Sequence, residues 1–351
     1  MRFRRFIRYG RQKLAMTNAA IASFAKYLPE EVLDNAFFLE KAYRDPATGE
    51  LTFKTNEQFI LENMGPETRR RSRPDEYTSD MASGVARQLV KGIDPQSIEG
   101  IIVATITPDR GFPSTAAMVQ ERIGAKNVRV AYDLAAACAG FPMALDQARA
   151  NIQAGMGPFI VIAADTLTKI VDYQDRNCAL FGDGAGGALV VPTNEEKGVV
   201  SSAGRSDPFN GKQYWIYKGA PTLNNAPPEP RGDGFNKGLL YMPQGPKVLK
   251  DAVDAMNAGI RAVADKAGWK LEEVDLVIAH QANIRILDAL ARRLPCRHVY
   301  NNIRQYGNMS AATCAVAAAE AQERGMLIDG TRLIISSYGS GTISSTVAVK
   351  F

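Results

Sequence analysis

Tyr132-Asp-Leu-Ala-Ala-Ala-Cys-Ala-Gly140 leads into an alanine-rich stretch that ends near Ala154, and Tyr306-Gly-Asn-Met-Ser-Ala-Ala312 leads into a second that ends near Arg324. Both stretches have the apolar spacing of a buried helix. A short apolar run precedes each of them, Ile98-Glu-Gly-Ile-Ile-Val-Ala104 in one case and Val274-Asp-Leu-Val-Ile-Ala279 in the other. Another run follows each, Phe159-Ile-Val-Ile-Ala163 and Leu333-Ile-Ile-Ser336. Runs of this kind predict short buried strands. Each half then continues into a glycine-rich turn and a strand, Gly182-Asp-Gly-Ala-Gly-Gly-Ala-Leu-Val190 and Gly339-Ser-Gly-Thr342. A repeat with a period near half the chain predicts two similar α/β halves facing one another. A site would lie between them, where equivalent loops and helix ends meet.

The chain of 351 residues, 46% hydrophobic, is long enough to bury a large core. With 23% charged residues and moderate glycine and proline, it is neither disordered nor collagen-like. No run of about 18 apolar residues is present, so no transmembrane helix is expected. The net charge of +5 is local in origin, because residues 1–15 carry Arg2, Arg4, Arg5, Arg8, Arg11 and Lys13 and no acid. The rest of the chain is near neutral, which argues against nucleic acid as a partner. The basic leader lacks the apolar core of a secretory signal; it is expected to be dispensable and the protein cytoplasmic. None of the four cysteines forms a CxxC pair, so reduced thiols are expected. Two histidines, His280 and His298, are too few for a histidine-rich metal site, and no metal is assigned. Gly219–Gly238 is predicted to be a long surface loop, and Arg44–Thr55 a second irregular stretch.

Three residues carry the candidate chemistry. Cys138 stands among small residues at the start of a predicted helix. Unpaired N–H groups and the positive end of the helix dipole there favour a thiolate, with a pKa drawn from about 8.5 toward about 7. A small buried core residue is the other reading. His280 ends a strand run, at the carboxyl edge where α/β sites form; a satisfied structural histidine fits equally. Asn308 matches Cys138 in the duplication, where an amide can donate to a substrate oxygen or simply cap a helix. Gly182-Asp-Gly-Ala-Gly-Gly187 lacks the strand–turn–helix context of a dinucleotide loop, so no nucleotide cofactor is assigned.

Together, Ala135-Ala-Ala-Cys-Ala-Gly-Phe141, Phe181-Gly-Asp-Gly-Ala-Gly186, His280-Gln-Ala-Asn-Ile-Arg285 and Tyr306-Gly-Asn-Met-Ser-Ala-Ala312 resemble the β-ketoacyl-acyl-carrier-protein synthase III family of the thiolase superfamily. The four motifs occur in the family's order, and the resemblance runs from Asn18 to Phe351. It implies a thiolase-like, five-layered αβαβα fold of two duplicated halves, assembled as a homodimer. Residues 1–15 are then a leader, 16–195 the N-terminal half with the nucleophilic cysteine, and 196–351 the C-terminal half with the histidine and asparagine.

The resemblance further implies a Cys138–His280–Asn308 site for decarboxylative Claisen condensation. Cys138 takes the acyl group of a primer thioester, with an oxyanion hole formed by the backbone N–H groups of Cys138 and Ser340, the latter where the family has glycine. His280 and Asn308 donate to the enolate left when a malonyl thioester loses CO₂. No cofactor is implied: thioesters of coenzyme A (CoA) or of carrier phosphopantetheine are substrates. The implied partners are acyl carrier protein, an acyl-CoA or acyl-carrier primer and malonyl-acyl-carrier-protein, with no membrane or nucleic acid.

By the same likeness Phe112 reaches across the dimer to close the partner's acyl pocket, and Leu167 and Phe181 line that pocket. Phe59 and Arg176 match an adenine clamp, and Lys250, Arg285, Arg292 and Arg293 a carrier-binding patch. Phe59 stands where the family has tryptophan and Asn63 where it has arginine, next to the apparent insertion at Arg44–Thr55. These departures point to a carrier-bound or unusual primer. A specialised condensing enzyme or acyltransferase of secondary metabolism is the nearest alternative, and a plant-type polyketide synthase uses the same three residue types. Cys314 has nothing to mark it as the second cysteine of a non-decarboxylating thiolase. A cysteine hydrolase, or an idle subunit that binds acyl chains or a carrier, are the readings from other classes.

Overall fold

The computed structural model describes residues 18–45, 48–207, 217–218, 239–241 and 245–351. Residues 1–15, expected to be a leader, and the Gly219–Gly238 stretch, expected to be a surface loop, lie outside the described residues. In chain order the strands are β1 (Asn18–Tyr27), β2 (Glu31–Asp34), β3 (Tyr43–Arg44), β4 (Leu51–Phe53), β5 (Thr68–Arg71), β6 (Gly100–Ala104), β7 (Val130–Leu134), β8 (Phe159–Thr166), β9 (Asp183–Thr193) and β10 (Gly198–Ser206). They continue as β11 (Tyr217–Lys218), β12 (Leu240–Tyr241), β13 (Leu276–Ala279), β14 (Arg332–Gly339) and β15 (Ile343–Lys350). The helices are α1 (Ala36–Leu39), α2 (Glu57–Asn63), α3 (Thr78–Leu89), α4 (Thr115–Ile123), α5 (Gly140–Gln153), α6 (Gly245–Lys266), α7 (Ile284–Arg293), α8 (Ile303–Tyr306) and α9 (Ala312–Glu323).

Two sheets organise the molecule. One has the order β1-β9-β8-β6-β7 and the other β10-β15-β14-β13. The two predicted strand pairs fall at equivalent places. β6 pairs parallel with β8, and β13 parallel with β14. Helices α5 and α9 lie between the sheets, α3 packs on the outer face of the first sheet, and α6 on the outer face of the second. This is the five-layered arrangement. One apolar cluster joins both sheets through α5 and α9, and separate clusters fill the α3/α4 and α6/α7 sides.

The layering explains the composition of α9. Every residue from Ala312 to Ala321 is buried, because each side of the helix faces a sheet. A helix enclosed this way shows no polar face, and small side chains let both sheets approach it. The same approach corrects the expectation of a turn at Gly182–Gly187. That run is a buried strand, since Gly184, Gly186 and Gly187 fall within β9. A β-carbon on Gly186 would stand 2.7 Å from the backbone of Ala315 and Val316 in α9. The glycines therefore serve close packing of helix on strand rather than chain reversal.

Arg44–Thr55 also differs from expectation. Tyr43 and Phe53 face each other across the antiparallel pair β3–β4. Its reversal is held by Asp45 N–H to Glu50 C=O at 2.8 Å and Gly49 N–H to Asp45 C=O at 2.8 Å. Strands of two and three residues are too short to show a period of two, so the hairpin is invisible in the pattern.

Candidate active site

The site forms where the two central helices begin. After β7 the chain turns through Ala137, whose φ of 45° is left-handed. An L-residue rarely holds that conformation, which here swings Cys138 into the gap between the halves. The turn is fixed from the second half of the protein, because the Ser337 hydroxyl donates to Cys138 C=O at 2.6 Å. α5 follows directly.

Asn308 is held in the same gap by its backbone. Its N–H donates to Leu180 C=O at 2.9 Å, and its C=O accepts from Gly182 N–H at 3.0 Å. The side-chain oxygen Oδ1 accepts from Ser310 N–H at 2.8 Å, which fixes Nδ2 as the donor end of the amide; one of its two protons faces Ala282 C=O at a long 3.5 Å, and the other is available to a substrate. Asn308 is therefore not the cap of α9, which begins four residues later. His280 follows β13 directly, with its N–H on Ser336 C=O at 2.8 Å. Its Nδ1 lies 2.6 Å from the Thr313 hydroxyl.

Cys138, His280 and Asn308 line one cavity of about 300 Å³. Ser340, Phe59 and Arg176 line it too, as does Asn63. Its walls are largely apolar, from Leu180, Val248, Leu249 and Ile286. A concave apolar space with a few convergent polar groups is the usual form of a small-molecule site.

The thiol does not behave as the helix terminus alone predicts. Burial pushes Cys138 up to about 12, with the nearby Asp165 carboxylate adding to the rise and the Ser310 hydroxyl opposing it. Burial thus opposes the helix end at this sulfur and favours the thiol over the thiolate. Burial also pushes His280 down to about 3, so its imidazole is neutral. Asp165, at the end of β8, is raised to about 6 by burial, although Oδ1 accepts from Thr105 Oγ1, Ile106 N–H and Thr107 Oγ1 at 2.8 to 3.0 Å.

The remaining sequence candidates separate into groups. Leu167 and Phe181 are 1% and 7% exposed, in an apolar cluster beside the cavity rather than on its wall. The physical reason is that Phe181 belongs to the bridge that pins Asn308, which turns its side chain into the core. Phe112 is 88% exposed and far from burial in the described chain. Lys250 on α6 and Arg285, Arg292 and Arg293 on α7 are exposed on adjoining helices. Arg293 pairs with Asp254 at 2.6 Å. Arg176 stacks on Phe59 at 4.3 Å and on Phe53 at 4.9 Å.

Sequence reasoning missed three supports. Thr313 lies 2.6 Å from His280 Nδ1, and the charge of Asp165 acts on the thiol. Arg69 is wholly buried, with Nε on Ala179 C=O at 2.6 Å and a terminal nitrogen on Asn35 Oδ1 at 2.7 Å. Its stem packs behind Gly182 and Gly307, and so braces the segment that carries Asn308. The one local signal was polarity inside an apolar context, as for Thr313 in Ala312-Thr-Cys-Ala315.

A five-layered pair of α/β halves with a cysteine, a histidine and an asparagine at its centre defines the class of thiolase-like condensing enzymes. Residues 132–208 match the family model 3-Oxoacyl-[acyl-carrier-protein (ACP)] synthase III, and residues 264–351 match its C-terminal counterpart. The chain belongs to this family, and is a condensing, acyl-transferring enzyme of fatty-acid initiation. A beta-ketoacyl-[acyl-carrier-protein] synthase III of Chlorobium luteolum is 38% identical over 343 residues, covering 95% of this chain and 99% of that one. The crystal structure of the 3-oxoacyl-[acyl-carrier-protein] synthase III of Aquifex aeolicus has 34% identity and a TM-score of 0.82, covering 95% of this chain and all 100% of that one. A priming beta-ketosynthase of a polyketide biosynthetic pathway has 25% identity and a TM-score of 0.83, covering 95% and 96%.

Proposed function

We propose that Cys138 is the acyl-carrying nucleophile, that His280 and Asn308 form the donor pair for the enolate, and that malonyl-acyl-carrier-protein is the extender. The observation that carries this reading is the convergence of the three side chains on one largely apolar cavity.

In the first half-reaction Cys138 Sγ bonds to the primer's carbonyl carbon, the primer's C–S bond breaks, and the thiol proton ends on the departing sulfur. A high thiol pKa suits an attack in which the proton leaves as the bond forms. The oxyanion is met by the backbone N–H groups of Cys138 and Ser340. In the second half-reaction the malonyl thioester loses CO₂, and Asn308 Nδ2 and His280 Nε2 donate to the enolate oxygen. The enolate carbon attacks the acyl carbon, the Cys138 C–S bond breaks, and one proton returns the thiolate to thiol. The product is a 3-oxoacyl thioester on the carrier. The site needs no cofactor on this account.

Carrier protein would dock on the α6–α7 face through Lys250, Arg285, Arg292 and Arg293, beside the cavity wall that Arg285 shares. A homodimer fits the surface that β7 leaves at the sheet edge next to Phe112, whose ring a second copy would cover. Among the described residues no helix is long and apolar enough to cross a membrane, and a cytoplasmic location goes with this reading. The primer is favoured as a carrier-bound acyl group, because Arg176 is already stacked on Phe59 and Phe53.

The test is the intact mass of the protein after incubation with acyl-CoAs and acyl-carriers, beside Cys138→Ala. One acyl group is expected on the parent protein alone, discharged by malonyl-carrier as a 3-oxoacyl product. Equal labelling of the variant, or none with any donor, overturns the reading. Release of free acid without malonyl-carrier would mark a hydrolase instead.

A further inference from the structure

The donor pair poses a tautomer problem. A neutral imidazole carries one proton, and it donates to an enolate only if that proton sits on the nitrogen facing the cavity. His280 is bonded through Nδ1 to a protein hydroxyl, which leaves Nε2 as the ring nitrogen free to serve substrate. What happens at Nδ1 therefore decides what His280 can do.

The group at Nδ1 is the Thr313 hydroxyl, 2.6 Å away, and both side chains are buried. Thr313 Oγ1 also lies 2.9 Å from Ser310 C=O. The hydroxyl has one proton for two acceptors. If it goes to Ser310, then Nδ1 must carry the ring proton and Nε2 is a bare acceptor. If it goes to Nδ1, then Nε2 carries the proton and is a donor. The second arrangement strands nothing, because Ser310 C=O still accepts from Thr313 N–H at 3.3 Å. The His280 contact is also the shorter of the two. Thr313 stands in the first turn of α9, where every residue from Ala312 to Ala321 is buried, so water does not compete for its hydroxyl.

We propose that Thr313 is a positioning residue that donates its hydroxyl proton to His280 Nδ1 and so holds the ring as the Nε2–H tautomer, competent to stabilise the enolate and not to act as a base. The proposal rests on the reading of His280 as an enolate donor. It assigns Thr313 to one half-reaction only. Acyl transfer to Cys138 uses the backbone oxyanion hole and does not require an Nε2 donor; loss of CO₂ does. Burial that keeps the imidazole neutral agrees with this division, because a histidine that resists protonation is a poor acceptor for the thiol proton.

The experiment has a spectroscopic and a kinetic arm, on the full chain. The chain holds two histidines, so ¹⁵N-histidine labelling gives two imidazoles, and His298→Gln assigns them. Couplings to the ring carbon protons distinguish Nε2 from Nδ1. The expected result in the unsubstituted protein at neutral pH is a protonated Nε2 and a hydrogen-bonded, unprotonated Nδ1 on His280. A protonated Nδ1 overturns the proposal, whatever any variant does. In the kinetic arm, Thr313→Val is compared with Thr313→Ser by acyl-enzyme mass and by CO₂ release from malonyl-carrier. Val is expected to slow CO₂ release about tenfold, the worth of one buried hydrogen bond, and to leave acyl transfer within about threefold. Ser is expected to restore the rate, which a purely packing role for the lost methyl would not predict. Equal loss in both half-reactions, or no rescue by Ser, overturns the proposal. His280→Ala separates the two levels. If it releases CO₂ normally, the donor reading itself falls, and the Thr313 assignment with it. If it fails while Thr313→Val does not, the Thr313 assignment alone falls.

Discussion

Gly339 packs so closely against the nucleophile's turn that a β-carbon on it would stand 3.0 Å from the backbone nitrogen of Cys138. That nitrogen is the proposed oxyanion donor, so the end of β14 sets its position. The φ of Gly339 is not left-handed, so alanine fits its backbone but not its space. Gly339→Ala is expected to displace the Cys138 N–H and slow acyl transfer by about 10²-fold, the usual cost of one oxyanion donor. The rate of acyl-enzyme formation, followed by mass, checks this; an unchanged rate would remove Cys138 N–H from the oxyanion hole.

Asn308 offers the complementary case. Its Oδ1 is occupied by Ser310 N–H, so Nδ2 is the donor end, with one proton toward Ala282 C=O at 3.5 Å and the other for substrate. Asn308→Asp keeps the shape and the Ser310 bond but replaces the donor with a carboxylate oxygen, which repels an enolate. Acyl-Cys138 is expected to form and persist, with CO₂ release down by at least about 10²-fold. Normal discharge of the acyl-enzyme by malonyl-carrier would refute the role of Asn308.

Asp165 raises Cys138 through its charge and is itself raised from 3.8 to about 6 by burial. Two signs follow. Asp165→Asn removes a negative neighbour, so the thiol should ionise more readily and its alkylation-versus-pH curve should move to lower pH. The folded protein also holds the Asp165 proton more tightly than the unfolded chain does. This favours folding fully below about pH 3.8, and the advantage is lost as pH rises through about 6. Comparing urea midpoints of the two proteins across that window tests the second sign: Asp165→Asn should gain relative stability as pH rises. A constant difference would mean that Asp165 does not titrate there.

Arg176 bears on primer choice. Its guanidinium lies 4.3 Å from the Phe59 ring centre, too close for an aromatic base to enter between them, and Phe53 covers it at 4.9 Å. Acyl-carrier primers are therefore expected to exceed the matching acyl-CoA in kcat/KM by about tenfold or more, a difference of about 1.4 kcal/mol. Phe53→Ala frees one face of Arg176 and should narrow that ratio. Equal use of both primers by the unsubstituted protein would show that the stack is no barrier.

The sequence pattern carried the large features because they depend on period and position. The two strand pairs and the two alanine-rich helices recur in equivalent places, and the residues that enter those helices, Cys138 and Asn308, meet as their equivalence requires. His280 was legible for the same reason, as the residue after a buried strand. What stayed hidden depends on contacts across long separations. Nothing in the sequence near Asp165 or Arg69 tells which turn each one supports. The rise of the Cys138 pKa was missed because helix ends show in sequence and dehydration does not. The glycines of β9 were misread because a turn and a close helix contact make the same demand for a missing side chain.

That last point has a direct test. A β-carbon on Gly186 would meet the α9 backbone at 2.7 Å, and a helix fixed between two sheets has nowhere to move. On Gly204, in β10, the nearest atom would be Ser344 C=O at 3.5 Å, an ordinary contact. If glycine in β9 serves packing, Gly186→Ala should destabilise the fold by about 1–3 kcal/mol, as overpacking does, whereas Gly204→Ala should be near neutral or slightly stabilising through reduced chain entropy. Urea unfolding of the two variants decides it. The control matters because both substitutions alter strand propensity and unfolded-state entropy alike, and only at Gly186 would the added carbon stand closer to a backbone than van der Waals contact allows. Similar midpoints would mean that α9 yields to the added methyl, and that the tight contact between the central helix and the first sheet is not what requires glycine at this position.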